Sequence, residues 1–333
     1  MNVVAVDREN NRVYASLDHG HFGTKFHRSD DGGENWSEVG CPEYPEQPEG
    51  WVETPNPFTG KVTQWSLESI WSIQPAPNGV LWCGTIPGGL FKSIDLGDSW
   101  TMVRSLWDLE ERRKWSGAGM DYAGIHSICV DPRDPDHITV GVSIGGVYAT
   151  HNGGGTWEAR CAGLRADYMP PEQAEDPEAQ DPHLIAHCPA DPDTIWTQHH
   201  NGVFVTRNGC DRWEEISDID PSTFGFAVAV HPKDGDTAWL VPGVKDEVRY
   251  PVGGQLVVTR TRDGGKFWEK LTKGLPQVDA YDLVYRHALA VDETGERLMF
   301  GSTTGNLWVS GDGGDSWEQL FGTLPPVYCV EWE

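Results

Sequence analysis

One eight-residue pattern recurs six times along this chain and restricts what it can fold into. Ser29, Asp31, Gly33 and Trp36 define it, and Ser93, Asp95, Gly97 and Trp100 repeat it, as do Ser310, Asp312, Gly314 and Trp317. Three looser copies keep the skeleton: Thr150, Asn152, Gly154 and Trp157; Thr206, Asn208 and Trp213, with Cys210 in place of Gly; and Thr261, Asp263, Gly265 and Trp268. The hydroxyl and Asx side chains bond the backbone of a tight turn, Gly permits positive φ, and Trp packs back under the hairpin. Short strands such as Gly89-Leu90-Phe91, Gly146-Val147-Tyr148 and Gly202-Val203-Phe204 precede the motif, and two further alternating runs lie before each of them. Each repeat is therefore a four-stranded unit with the motif between its third and fourth strands.

The motif resembles the Asp-box (BNR) repeat of sialidase-like β-propellers, and the resemblance covers nearly the whole chain. Gly20-His21-Phe22-Gly23-Thr24-Lys25-Phe26, Gly163-Leu164-Arg165-Ala166-Asp167 and Phe224-Gly225-Phe226 are similar to strings in bacterial glycosyl hydrolase-like BNR-repeat proteins. The resemblance implies a single all-β propeller domain of four-stranded blades, at about 1–40, 68–104, 124–160, 182–217, 224–271 and 286–320. The expected frame has seven blades, the last reduced to an inner strand at 327–332; six-bladed closure is the alternative. Strands are also expected ahead of Met1, so the start lies upstream or an exposed 327–332 edge pairs two copies; monomer and edge-paired dimer both stand. The sialidase active site is not implied, because the FRIP-type segment that delivers that family's first Arg is absent.

Composition narrows the partners. The 333 residues carry a formal charge of −26, which repels nucleic acid and anionic membranes and favours solubility. No apolar run approaches the roughly 18 residues of a membrane span, and the N-terminal residues show no export signal. Seven scattered Cys, without a CxxC pair, suit free thiols, so a cytoplasmic location is expected.

Blade topology sorts loops onto two faces. The Asp boxes mark one face, and the long insertions at 37–68, 101–123, 158–182, 243–253 and 272–284 fall on the other, where binding and catalysis concentrate. Aligning the inner strands gives one equivalent position per blade: Asn2, Trp71, His126, His183, Phe226 and His287. Loops of the same face add His19, His21, His199 and His200.

Three readings of the His cluster stand. His21, His126, His183 and His200 would hold Zn²⁺ or Mn²⁺ through neutral imidazoles. His126, His183 and His200 would instead serve as acid, base or oxyanion donors. Hydrogen-bonded lining residues without chemistry are the third. Lys25, Trp71, Arg165, Arg286 and Tyr285 are the candidate substrate contacts, the cations for an anionic group and the rings for stacking. Asp31, Asp95, Asn152, Asn208, Asp263 and Asp312 are structural. The function expected is a hydrolase or lyase acting on a small polar or glycan-like substrate, metal-assisted in the first reading. A non-catalytic propeller scaffold that grips a protein partner is the alternative. No carboxylate pair can be chosen from the sequence, since Asp and Glu abound on the loops.

Overall fold

The computed structural model describes residues 3–18, 20–57, 59–117 and 120–333. Asn2 and His19, both named above, lie outside the described residues. Six antiparallel sheets follow one another along the chain, each of four strands in sequential order. The sheets run over residues 3–38, 69–102, 125–159, 182–216, 228–271 and 289–321. Two compact units divide them: Met1–Cys161 with Tyr168–Asp181 and Glu333, and Ala162–Asp167 with Pro182–Trp332. Each unit holds three sheets.

The turn chemistry of the repeat explains the sheets. In the second sheet Ser93 Oγ donates to Asp95 Oδ1 at 2.7 Å and accepts the Gly97 N–H at 2.9 Å. Asp95 then accepts the Ser99 N–H at 2.9 Å and its hydroxyl at 2.6 Å. Those hydrogen bonds, Ser99 first, hold the Asp95 carboxyl below the usual carboxylate range. The copy at Ser310, Asp312, Gly314 and Ser316 has the same arrangement. Gly97 adopts φ +88°, a region that favours Gly, and Cys210 occupies the equivalent place at φ +69°. The motif residues Trp157, Trp213, Trp268 and Trp317 are buried, whereas Trp36 is 40% exposed and donates its indole N–H to Gly33 O.

Six blades of four strands make this a six-bladed propeller, and the seven-blade frame is overturned. Residues 327–332 form no strand of a further sheet. They contribute one isolated parallel bridge, His287 with Cys329, and Val330 donates to His287 O at 2.9 Å. Val327 donates to Ser302 O at 2.9 Å, so the segment is tied to residues that flank two strands of the sixth sheet. The preceding Pro325 lacks an N–H, as does Pro326, which limits how early a ladder can begin.

Three inner strands share an irregularity that positions the site. Ser69–Ala76 shifts register between Ile70 and Ser72, Ile125–Asp131 between Ile125 and Ser127, and Pro182–Cys188 between Pro182 and Leu184. The extra residue of each bulge is therefore Trp71, His126 and His183. A bulge re-aims its side chain, and bulges concentrate next to functional sites. All seven Cys are free thiols. No helix among the described residues is long and apolar enough to cross a membrane.

Candidate functional site

The first unit gathers acidic side chains that the sequence left unsorted. Asp18 ends the strand Arg12–Asp18 and pairs across its hairpin with Thr24, whose hydroxyl donates to Glu68 O at 2.7 Å. Glu68 precedes the inner strand Ser69–Ala76 and is anchored by its N–H to Ile86 O at 2.9 Å. Desolvation first, then the negative charges of Asp121 and Asp18, push the Glu68 carboxyl above its ordinary range, with Lys61 opposing. Lys61 forms an ion pair with Asp121. A small hairpin presents it: Pro55 bridges Val62, and Asn56 donates its backbone N–H to Lys61 O at 2.7 Å and its side-chain amide to Asp121 O at 3.1 Å. A surface carboxyl of raised proton affinity beside two other carboxyl groups and an ammonium is an arrangement suited to acid–base chemistry.

A buried clasp fixes the two long loops that carry these groups. Glu53 and Arg112 form a two-pronged ion pair at 2.9 and 2.8 Å, and both side chains are almost wholly buried. The Trp51 and Trp65 indoles donate to the same Glu53 oxygen at 2.9 and 2.8 Å. Arg112 also donates to Trp107 O and lies 4.1 Å from the Trp107 ring centroid. Burial pushes the Glu53 carboxyl up, but Arg112 and the indole donors outweigh it, and the net shift is downward. With its oxygens committed, Glu53 organises the loops, and Glu68 is the carboxyl of this group whose proton affinity is raised.

The bulge residues divide between the units. His126 is fully buried, with Nδ1 2.7 Å from Ser127 Oγ and its ring edge-on to Trp71 at 5.7 Å between centroids. In the second unit His183 stacks on Phe226 at 4.5 Å and meets His200 edge-on at 5.5 Å. His183 Nδ1 lies 2.6 Å from Gly225 O, a contact in which Nδ1 carries the hydrogen because a carbonyl only accepts. Asp181, joined to His183 through Pro182 alone, His183 and His200 each offer one ligand atom, all within 4.8 Å of one another. Among the described residues His21 and His126 join no such group; His21 is exposed and sits edge-on to Phe22.

The expected substrate cations have local carboxylate neighbours. Lys25 Nζ contacts Glu38 at 2.7 Å, a hydrogen bond that raises its affinity for a proton, and Arg165 Nε contacts Asp167 at 2.7 Å. Arg286 instead lies over the Phe226 ring, and Tyr285 packs on the same ring. Glu68 escaped notice because its signal is electrostatic and arises only when Asp18 and Asp121 approach it. A pocket lined by Lys92, Ser99, Arg104 and Gly154 lies among the Asp-box turns and contains none of these residues.

No family model matches the chain. A probable oligoxyloglucan-reducing end-specific xyloglucanase of Neosartorya fischeri is 26% identical over 231 residues, covering 61% of this chain and 26% of that protein. The oligoxyloglucan-reducing end-specific xyloglucanase of Emericella nidulans is 23% identical over 289 residues, covering 77% of this chain and 32% of its own length. The chain thus spans between a quarter and a third of the curated relatives it matches. The crystal structure of the GH74 xyloglucanase from Xanthomonas campestris superposes with a TM-score of 0.64 and 19% identity, covering 96% of this chain and 47% of the enzyme. This chain is a β-propeller related to the xyloglucanases. The relatives named here are xyloglucanases, and none of them is a sialidase.

Proposed function

We propose that the chain is a glycoside hydrolase acting on a glycan of the xyloglucan type. The observation that carries this reading is the convergence of Glu68, Asp18 and the Lys61–Asp121 pair, tied together by Thr24, in which Glu68, though at the surface, is pushed above its ordinary range by partial desolvation and then by Asp121 and Asp18. Glycosidic cleavage calls for one protonated acid at the leaving oxygen and one ionised carboxylate across the sugar ring. Glu68 fits the acid, since its neighbours favour the protonated form. Asp18 is exposed, with one oxygen accepting the Gly20 N–H at 3.0 Å, and supplies the partner carboxyl. Asp121, paired with Lys61, sets the field around Glu68. The likeness to two xyloglucanases at 23% and 26% identity supports the substrate class.

Release of reducing sugar from xyloglucan oligosaccharides tests the reading. Glu68→Gln should lower kcat by roughly 10²–10⁴-fold, the usual range for loss of a general acid. Asp18→Asn should do the same for the base or nucleophile. Full turnover in both variants, or none in the wild type on any neutral glucan, would overturn it.

A divalent cation, Zn²⁺ or Mn²⁺, at Asp181, His183 and His200 belongs to the same proposal. Two imidazoles and a carboxylate are a donor set for such ions, and the Gly225 carbonyl orients His183 as an outer partner does. Metal content of untagged protein checks it.

A further inference from the structure

Lys92 stands at a place in the repeat where two other cations are paired. It precedes Ser93 in the second copy of the motif, as Arg28 precedes Ser29 in the first and Arg260 precedes Thr261 in the fifth. Each of those arginines reaches the copy that follows its own. Arg28 donates to Leu96 O at 3.0 Å and to Asp98 Oδ1 at 2.8 Å. Arg260 donates to Gly313 O at 2.7 Å and contacts Asp315 at 2.7 Å. The partners are thus the fourth and sixth residues of the next copy. Lys92 faces the third copy, whose fourth and sixth residues are Gly153 and Gly155, so no carboxylate stands at the sixth place. Lys92 forms no ion pair with any described residue, and its ammonium lies 4.8 Å from the centroid of the Trp82 ring. A cavity of about 270 Å³ opens there, and among the described residues that line it none is acidic, in a chain with 51 Asp and Glu against 25 Lys and Arg. Thr101, paired with Lys92 across the sheet, adds a hydroxyl with no hydrogen-bond partner among the described residues. Arg104 on the wall is already held by Asp108, whereas Met102 and Val103 give the wall its apolar part.

We propose that this cavity is a binding site for a small organic acid with a short apolar chain. Its carboxylate takes the place beside Lys92 that Asp98 and Asp315 occupy beside Arg28 and Arg260, and the Thr101 hydroxyl is a second donor. Its chain lies on Met102 and Val103. Hydrogen bonds between charged partners are roughly twice as strong as neutral ones, and a half-buried ammonium gains from an anion brought to it. The cavity falls below the roughly 300–1,000 Å³ of ordinary small-molecule sites, which limits the ligand to a few carbons. The site lies between the strand Thr101–Met102 and the turn at Gly153 and Gly154, all within the first unit. None of the acidic groups around Glu68 lines it, so it stands independently of the hydrolase reading.

NMR titration of the wild type with butyrate, and with butyramide as its neutral counterpart, tests the site. Butyrate should bind at least about tenfold more tightly, the gain that one charge-assisted hydrogen bond supplies. Acetate should bind more weakly than butyrate, by roughly threefold for each methylene lost from the apolar wall. Lys92→Gln should abolish the preference for the acid, and Lys92→Arg should keep it. Gly155→Asp should supply the missing carboxylate from within the chain and displace the ligand. An added Cβ at Gly155 meets the Asn152 side chain at 3.1 Å, so that turn must give slightly. Circular dichroism reports whether each variant is folded, and Lys92→Gln decides the matter should Gly155→Asp fail to fold. Equal affinity for butyrate and butyramide, or an acid preference that survives Lys92→Gln, would overturn the proposal. Inorganic sulfate or acetate binding as tightly as butyrate would overturn it too, by showing an anion site without an apolar wall.

Discussion

His183 and Phe226 stack face to face, 4.5 Å apart at their centroids, while His183 Nδ1 is held 2.6 Å from the Gly225 carbonyl. The ring is therefore held in plane by Phe226 and at Nδ1 by Gly225, which lies three positions before the strand Val228–Val230. His183→Gln should abolish bound metal while the sheets persist, as read by elemental analysis beside circular dichroism. Metal retained at full stoichiometry in the variant would separate His183 from any metal role.

Glu68 carries a stability cost with a definite sign. Its folded-state pKa is raised, so the stability it contributes is present at low pH and lost as pH rises through the folded value. Glu68→Gln removes the ionised form, so at neutral pH the variant should melt at or above the wild-type temperature. Melting curves between pH 4 and pH 8 check it, and a clear drop in Tm at pH 7 would contradict the field described for Glu68.

The Glu53–Arg112 pair has the opposite character. Removing one partner leaves a buried charge, and such breaks cost about 3–5 kcal/mol. Glu53→Gln should therefore lower the urea midpoint strongly. Replacing both, as Glu53→Met with Arg112→Met, should recover part of the loss. A double variant worse than either single change would show that the indole bonds to Glu53 matter more than the charge pairing.

Acid sensitivity should come from two turn carboxylates. Burial raises the Asp131 and Asp292 carboxyls, but hydrogen bonds from Arg133, and from Thr294 and Arg297, bring each down to about 2. Their contribution is present above about pH 4 and lost as pH falls toward 2, at up to roughly 2 kcal/mol each before solvent screening. Arg297→Gln should move the acid-unfolding midpoint upward. An unchanged midpoint would mean that other groups govern acid unfolding.

The hydroxyl–Asx turns of the repeat, the order of strands within each sheet and, of the aligned positions, the equivalence of Trp71, His126 and His183 were legible from the chain alone. Each depends on hydrogen bonds closed within a few residues, as between Ser93 and Gly97, or on alternation along one strand. One extra residue sits at the corresponding place in three inner strands, at Trp71, His126 and His183, whereas the registers from Val228 and Leu289 show no bulge at Phe226 or His287. Tertiary structure decided the remainder. Residues 327–332 read as an inner strand, yet they make a single bridge to His287, just ahead of the strand Leu289–Val291. Glu53 meets Arg112, and Lys61 meets Asp121, across loops that carry no periodic pattern. Glu68 looks like any other acidic loop residue until folding brings Asp121 and Asp18 near it. Local turn chemistry is written in adjacent side chains, whereas a carboxyl's proton affinity is set by desolvation and by charges far away in the chain.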